Sequence, residues 1–296
     1  MSETEVRPMR AEDVTAASAM AYLSLREMAE RLHGEQWPLV ADPERARWGE
    51  FRVDHIRRHD GGGSWVAERD GEILGLACAT KRESIWFLSL LAVKLGEQSG
   101  GIGKRLLDAS LTYAADCSGA WIMSSLDPRA LRRYHQAGFA LQPSFEATGQ
   151  VDRSLLSADA GVGLGEWDAD GEWMDRLVRE VRGAGLGVDV EFYRTRELPL
   201  LTLEQGQERG FAILNTDGLY TVCASRPSLA ARLLSAAIAM ASERTGTIVV
   251  GPMTGLQPWA IDVCMSLRLR LQPGAGVCTR GQMGPLAPYI PNGAFG

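Results

Sequence analysis

The chain has 296 residues, 45% of them hydrophobic and 23% charged, with a formal net charge of -6. This length predicts about two domains, with a core large enough to need no disulfide or metal staple. The composition excludes wholesale disorder and a collagen-like fibre. No apolar run approaches the roughly 20 residues of a membrane span; the run from Ile85 to Val93 is too short and contains Ser89. No Lys/Arg block exceeds a pair, so neither a nucleic-acid surface nor a membrane partner is expected. The five cysteines (Cys78, Cys117, Cys223, Cys264, Cys278) are odd in number, with no C-x-x-C pair. That spacing supports neither a zinc site nor a disulfide framework, and a reduced, cytoplasmic setting is the simplest expectation. The opening residues MSETEVRPMRAEDV lack the apolar stretch of a secretory leader.

In chain order, a short strand at Val6 to Met9 precedes a helical pattern through Met20, Leu23, Met28 and Leu32. A second helix is predicted over about 43–59 and is broken by Gly61-Gly62-Gly63. Ser64 to Glu68 and Ile73 to Cys78 flank Asp70-Gly71, a strong hairpin signal. Ile85 to Val93 reads as a central strand. A glycine-rich turn and an amphipathic helix from about Gly103 to Cys117 follow, then a strand at Trp121 to Met123. A short helix from Pro128 to Gln136 is stopped by Gly138, and Phe139 opens a last strand. The order predicts a mixed α/β fold, each domain a central sheet flanked by helices. Residues 147–166 are rich in Ala, Ser, Gly and Asp and read as a linker, which places domains at 1–152 and 153–296.

The second half repeats the theme: a helix through Trp173, Leu177 and Val181, a hairpin around Asp217-Gly218, a helix through Leu229, Leu233, Ala237 and Ala241, and a strand from Thr247 to Val250. At a constant offset, Asp127, Pro128, Ala130 and Tyr134 fall on Gln257, Pro258, Ala260 and Cys264. The register runs without a gap to Leu141-Gln142-Pro143 over Leu271-Gln272-Pro273. This predicts an internal duplication.

The chemistry is concentrated between Leu90 and Leu107, where a strand enters a glycine-dense turn and then a helix. A helix N-terminus presents free N–H groups and a partial positive charge, and glycines let the backbone wrap an anion. A P-loop needs a Ser or Thr after Gly-Lys, and here Arg105 follows Lys104. A dinucleotide fingerprint needs a third glycine where Leu106 stands. The pattern that fits is Gln-x-x-Gly-x-Gly: Gln98, Gly101, Gly103.

With these flanks, the segment resembles the pyrophosphate loop of the GNAT family of acyl-CoA-dependent N-acyltransferases. Asp127-x-x-Ala130-x-x-x-Tyr134 and Gly138-Phe139 are similar to that family's downstream Asn-x-x-Ala-x-x-x-Tyr and Gly-Phe, with Asp127 in place of Asn. The resemblance implies two GNAT-like acyltransferase domains in tandem and acetyl-CoA as donor. It implies a primary amine of a small molecule, or of a peptide, as acceptor. Leu91, Ala92 and Val93 would pair with the pantetheine as an added strand does. Gln98, Ser99, Gly100, Gly101, Ile102, Gly103 and Lys104 would hold the pyrophosphate, and Asp127 would stand at a donor contact that its replacement of Asn puts in doubt. Tyr134 would protonate the departing thiolate as the catalytic acid. Glu83 is the plausible carboxylate base, although a surface role fits it better. His33 and Trp37 fall where the family binds acceptors, and Trp86 faces either the core or that cleft. The second half lacks a glycine cradle, and Pro227 removes an N–H where several are needed. It reads as a degenerate copy that binds no donor, with Cys264 a buried small hydrophobe. No metal is expected. The alternative reading is a non-catalytic acyl-CoA-binding regulatory module. The sequence leaves the oligomeric state open.

Overall fold

Asp70 and Gly71 both adopt positive φ, 54° and 80°, the conformation of a tight hairpin turn that matches strand twist. They join β2 (Ser64–Arg69) to β3 (Glu72–Arg82) in the computed structural model, which describes residues 3–33, 43–156, 159–215, 218–244, 246–274 and 276–296. Trp37 and Asp217 lie outside the described residues. The first unit comprises Met1–Gly138 with Ala294–Gly296. It opens with β1 (Glu5–Pro8), antiparallel to β2, followed by α1 (Val14–His33) and α2 (Pro43–His59). The strand β4 (Ile85–Val93) runs antiparallel to β3 along its whole length. After α3 (Ile102–Leu111), β5 (Gly119–Ser124) returns parallel to β4, and α4 (Pro128–Gln136) follows.

Burial explains the order. β3 and β4 are buried along nearly their whole length, as central strands must be, and read as continuous apolar runs. α3 closes one face of the sheet through Ile102, Leu106 and Leu107. Gly75 makes that approach possible: a Cβ there would stand 2.8 Å from Leu106 Cδ1 and 3.0 Å from the Ala92 carbonyl oxygen. Phe295 belongs to this unit as well, fully buried with its ring edge-on to His55.

The second unit spans Phe139–Gly293. It contains β6 (Ala140–Gln142), β7 (Phe145–Gly149), β8 (Val162–Leu164), α5 (Trp167–Arg182), α6 (Asp189–Thr195), β9 (Leu200–Gln205), β10 (Glu208–Asn215), β11 (Gly218–Ala224), α7 (Pro227–Ser242), β12 (Ile248–Met253), α8 (Pro258–Ser266), β13 (Arg270–Pro273), β14 (Gly276–Gly281) and β15 (Tyr289–Ile290). The elements from β8 to β14 repeat, in order and type, those from β1 to β7. The four-strand ladder β8-β9-β10-β11 is antiparallel and is extended by β15. α7 packs its Leu229, Leu233, Ala237 and Ala241 face into the core of this unit.

The division falls after Gly138, ahead of the linker expected at 147–166. Its cause is strand pairing. β7 lies between β12 and β13, antiparallel to both. β6 pairs with β14. The exchange is reciprocal: the next-to-last strand of each repeat pairs with the last strand of the other. Residues 139–152, placed with the first domain by composition, thus sit in the second unit. No helix among the described residues is long and apolar enough to cross a membrane.

Candidate active site

The parallel pairing of β4 and β5 stops at Leu88 and Ile122. Beyond that point β4 continues to Val93 on its β3 side, while β5 ends at Ser124. A β-bulge marks the divergence, since Cys78 and Ala79 of β3 face Leu90 and Leu88, leaving Ser89 as the extra residue. The strands therefore splay, and a cavity of about 580 Å³ opens between them, in the range of small-molecule sites. Leu88 to Val93 form one wall and Ile122 to Ser125 the other, with Ser24, Leu25 and Met28 of α1, Arg52 of α2, the glycine-rich loop and α4 completing it.

The loop ends on Gly101, the N-cap of α3, at φ 81°, and a Cβ added there would meet nothing within 4 Å. The space there is open, and the left-handed backbone favours glycine. The N–H groups of Ile102 and Gly103, in the first helical turn, have no acceptor inside the helix. At Gly103 a Cβ would lie 3.4 Å from Val93 Cγ2 and 3.7 Å from Arg133 Nε, so a side chain would fill the gap between β4 and α4. Gln98 braces the loop: its amide donates to the Val93 carbonyl oxygen at 3.2 Å, and its side-chain oxygen accepts from Arg129 Nη1 at 2.7 Å.

Asp127, 5% exposed, is the N-cap of α4 and accepts from the Arg129 backbone N–H at 2.8 Å. Its carboxylate also accepts from Arg31 Nη2 at 2.7 Å and Arg129 Nη2 at 2.8 Å. Burial opposes its ionisation, but the hydrogen bonds from Arg129 and Arg31 outweigh burial and hold the carboxyl well below the usual range. The other carboxylate on the wall, Glu97, is ion-paired with Arg69.

Of the residues the sequence singles out, Leu91, Ala92, Val93, Gln98, Ser99, Gly101, Gly103, Asp127 and Tyr134 line this one cavity. Tyr134 is 5% exposed. Gly100, Ile102 and Lys104 do not line it. Ile102 is packed beneath the sheet, with Leu106 beside it. Lys104, 70% exposed at its side chain, pairs with Asp108 at 2.6 Å, and its backbone N–H donates to the Gly101 carbonyl oxygen at 3.0 Å. Neither group of Lys104 is aimed at an anion in the loop. Glu83 is in the β3–β4 turn, away from the wall, and Trp86 is wholly buried outside it. His33 ends α1.

Sequence reasoning missed Arg129, Arg132 and Arg133, which give the α4 wall its positive charge. The signal was present: Arg129, Arg132 and Arg133 recur at the three- and four-residue spacing of one helix face. Arg52 and Ser89 carried no such signal. Among the described residues no cluster of His, Cys, Asp or Glu could hold a metal ion. In the second unit, Cys264 is buried, and burial pushes its thiol up to about 12.

Residues 22–139 match the family model described as the acetyltransferase (GNAT) family. The chain resembles a candidate acetyltransferase from Pyrococcus horikoshii, at TM-score 0.76 and 15% identity, over 99% of this chain and 96% of that one. A GCN5-related N-acetyltransferase from Sphaerobacter thermophilus matches at TM-score 0.56 and 12% identity, over 94% and 95%. One from Kribbella flavida matches at 0.57 and 14%, over 94% and 71%. At these identities the likeness is one of fold.

Proposed function

We propose, for a chain whose residues 22–139 match the model of the acetyltransferase (GNAT) family, that it transfers an acetyl group from acetyl-CoA to a primary amine of a small molecule. One observation carries this reading: β4 and β5 part after Leu88 and Ile122, and the gap leads to a glycine-rich helix start. A splayed strand offers main-chain partners to the pantetheine amides through Leu91, Ala92 and Val93. The N–H groups from Ser99 to Gly103 suit a pyrophosphate, with Gln98 holding the loop in shape. Asp127 acts by anchoring α4 rather than by touching the donor, because Arg31 and Arg129 already engage its carboxylate.

The chemistry needs a neutral amine. A lysine-like amine is neutral in only about one molecule in a thousand at pH 7. The amine nitrogen attacks the thioester carbonyl, an N–C bond forms, the C–S bond breaks, and the thiolate takes a proton from the Tyr134 hydroxyl, while the proton shed by the newly acylated nitrogen passes through solvent to restore that hydroxyl. Both carboxylates on the wall are engaged by arginines. That observation favours the second reading, an acyl-CoA-binding module without turnover, and release of free thiol with any amine excludes it.

The test is calorimetric titration of acetyl-CoA into the wild type and a Gly101→Glu variant. One site per chain, lost in the variant, supports the reading. Two sites would place a donor in the second half as well, and no binding to the wild type overturns the reading.

A further inference from the structure

The two repeats share one landmark. In the first, Gly75 of β3 faces Val93, and a Cβ there would stand 2.8 Å from Leu106 Cδ1 of α3 and 3.0 Å from the Ala92 carbonyl oxygen. In the second, Gly210 of β10 faces Ala224, and a Cβ there would stand 2.7 Å from Leu233 Cδ1 of α7 and 3.0 Å from the Cys223 carbonyl oxygen. Matching the two glycines sets Leu91, Ala92 and Val93 of β4 on Val222, Cys223 and Ala224 of β11.

In β4 these three residues lie beyond Leu88, where the pairing with β5 has ended. In β11 the same edge is occupied. Val222 and Cys223 pair antiparallel with Ile290 and Tyr289 of β15, on the side away from β10. The Ala224 N–H donates to the Pro288 carbonyl oxygen at 3.3 Å, and the Thr221 hydroxyl donates to the Ile290 carbonyl oxygen at 2.6 Å. A further contact falls at a second repeated position. Gln257 caps α8 as Asp127 caps α4, and its side-chain amide donates to the Leu286 carbonyl oxygen at 2.8 Å. Tyr289 and Ile290 are buried, Ile290 in one core with Val222, Ala224 and Leu233.

We infer that the second repeat keeps a strand-binding groove on β11 and fills it with the chain's own residues 286–290, which take the place that the donor's pantetheine arm takes in the first repeat. This inference rests on the acetyltransferase reading above. A strand edge offers N–H and C=O groups to any extended amide chain, whether pantetheine or peptide. A ligand on the same chain acts at a high effective concentration, which a free donor must outcompete. The donor's other anchor is missing there as well: Lys94 to Gly101 separate β4 from α3, but Ser225 and Arg226 alone separate β11 from α7.

The test is hydrogen exchange on the whole chain, read by mass spectrometry with and without saturating acetyl-CoA. The expected result is slow exchange at 222–224 and 286–290 in the donor-free protein, unchanged by acetyl-CoA, while 91–93 slows at least about tenfold as the donor binds. Thr221→Val deletes one hydrogen bond to the segment and should speed 222–224 and 286–290 together, by about fivefold, the worth of one hydrogen bond. Fast exchange of 286–290 in the donor-free wild type overturns the inference, as does a folded Thr221→Val protein in which the two segments do not speed together. If that variant fails to fold, the wild-type comparison alone decides. Acetyl-CoA binding that slows 222–224, or that leaves 91–93 unchanged, overturns the inference and leaves the donor reading standing. Failure to bind acetyl-CoA overturns both.

Discussion

The side chains of Gln98 and Arg129 meet at 2.7 Å, the amide oxygen accepting from the guanidinium, and this bond ties the glycine-rich loop to the first turn of α4. Arg129 in turn holds Asp127, which holds Arg31 of α1. The loop, the α4 start and α1 are thus linked by one polar chain. Gln98→Ala cuts it at the loop. The expected effect is a several-fold loss of acetyl-CoA affinity, about 1 kcal/mol for one hydrogen bond, with little change in stability. Calorimetry and a denaturant titration on the same samples check it.

Asp127→Asn keeps the helix cap, since Asn caps as well as Asp, and removes the ion pairs. The unfolding free energy should fall by about 1–3 kcal/mol at pH 7, less than for a wholly buried pair because both arginines are partly exposed. The pH dependence has a definite sign. The folded carboxyl titrates below its unfolded value, so its contribution is complete above the ordinary Asp range and is lost as pH falls toward the folded value. The stability gap between wild type and variant should therefore be constant from pH 7 to 5 and shrink below about pH 4. Urea midpoints across that range measure it, and a gap that widens on acidification contradicts the assignment.

Gly101 and Gly103 should respond differently to substitution. Gly101→Ala meets open space but a left-handed backbone, so it should lose about 1 kcal/mol of stability. Gly103→Val puts bulk between Val93 and Arg133. Its expected effect is a larger loss of acetyl-CoA affinity than of stability. Thermal unfolding and donor titration on both variants separate the two.

Tyr134→Phe keeps the packing of a buried ring and deletes the hydroxyl. If the hydroxyl protonates the thiolate, kcat falls by about 100-fold or more, while KM for acetyl-CoA stays within about twofold. A variant with wild-type kcat removes Tyr134 from the chemistry and leaves it a packing residue.

The cysteines should label in order of access. Cys78, Cys223, Cys264 and Cys278 are buried, and Cys117 is half-buried. Burial raises the Cys78 and Cys264 thiols to about 12 and Cys278 to about 11, which leaves little reactive thiolate at pH 8. Iodoacetamide on the folded protein should modify Cys117 first, as read by peptide mass spectrometry. Early labelling of Cys264 would instead mark an accessible thiol in the second half.

Much of the first unit was legible because its signals are local. Asp70-Gly71 specifies its own turn, Ile102, Leu106 and Leu107 specify a buried helix face, and Gln98, Gly101 and Gly103 specify a loop that must curl before a helix. Leu91, Val93 and Tyr134, grouped by what the family resemblance implies, line one cavity. Arg52 and Ser89 were not legible. Each is ordinary in its own segment and reaches the cavity only through the packing of elements distant in sequence.

By itself, the sequence determined the order of strands and helices as far as Phe139, the glycine-rich turn and the repeated spacing of the two halves, since periodicity, turn chemistry and spacing are properties of neighbouring residues. The tertiary structure alone decided the pairing partners. Phe139 read as opening the last strand of the first half, with a linker from 147, yet residues 140–149 form two strands that pair with β12, β13 and β14. The physical reason is that backbone hydrogen bonding is the same for every residue. An edge strand is completed by whichever strand is brought beside it, and alternation of side chains fixes the buried face without naming the neighbour.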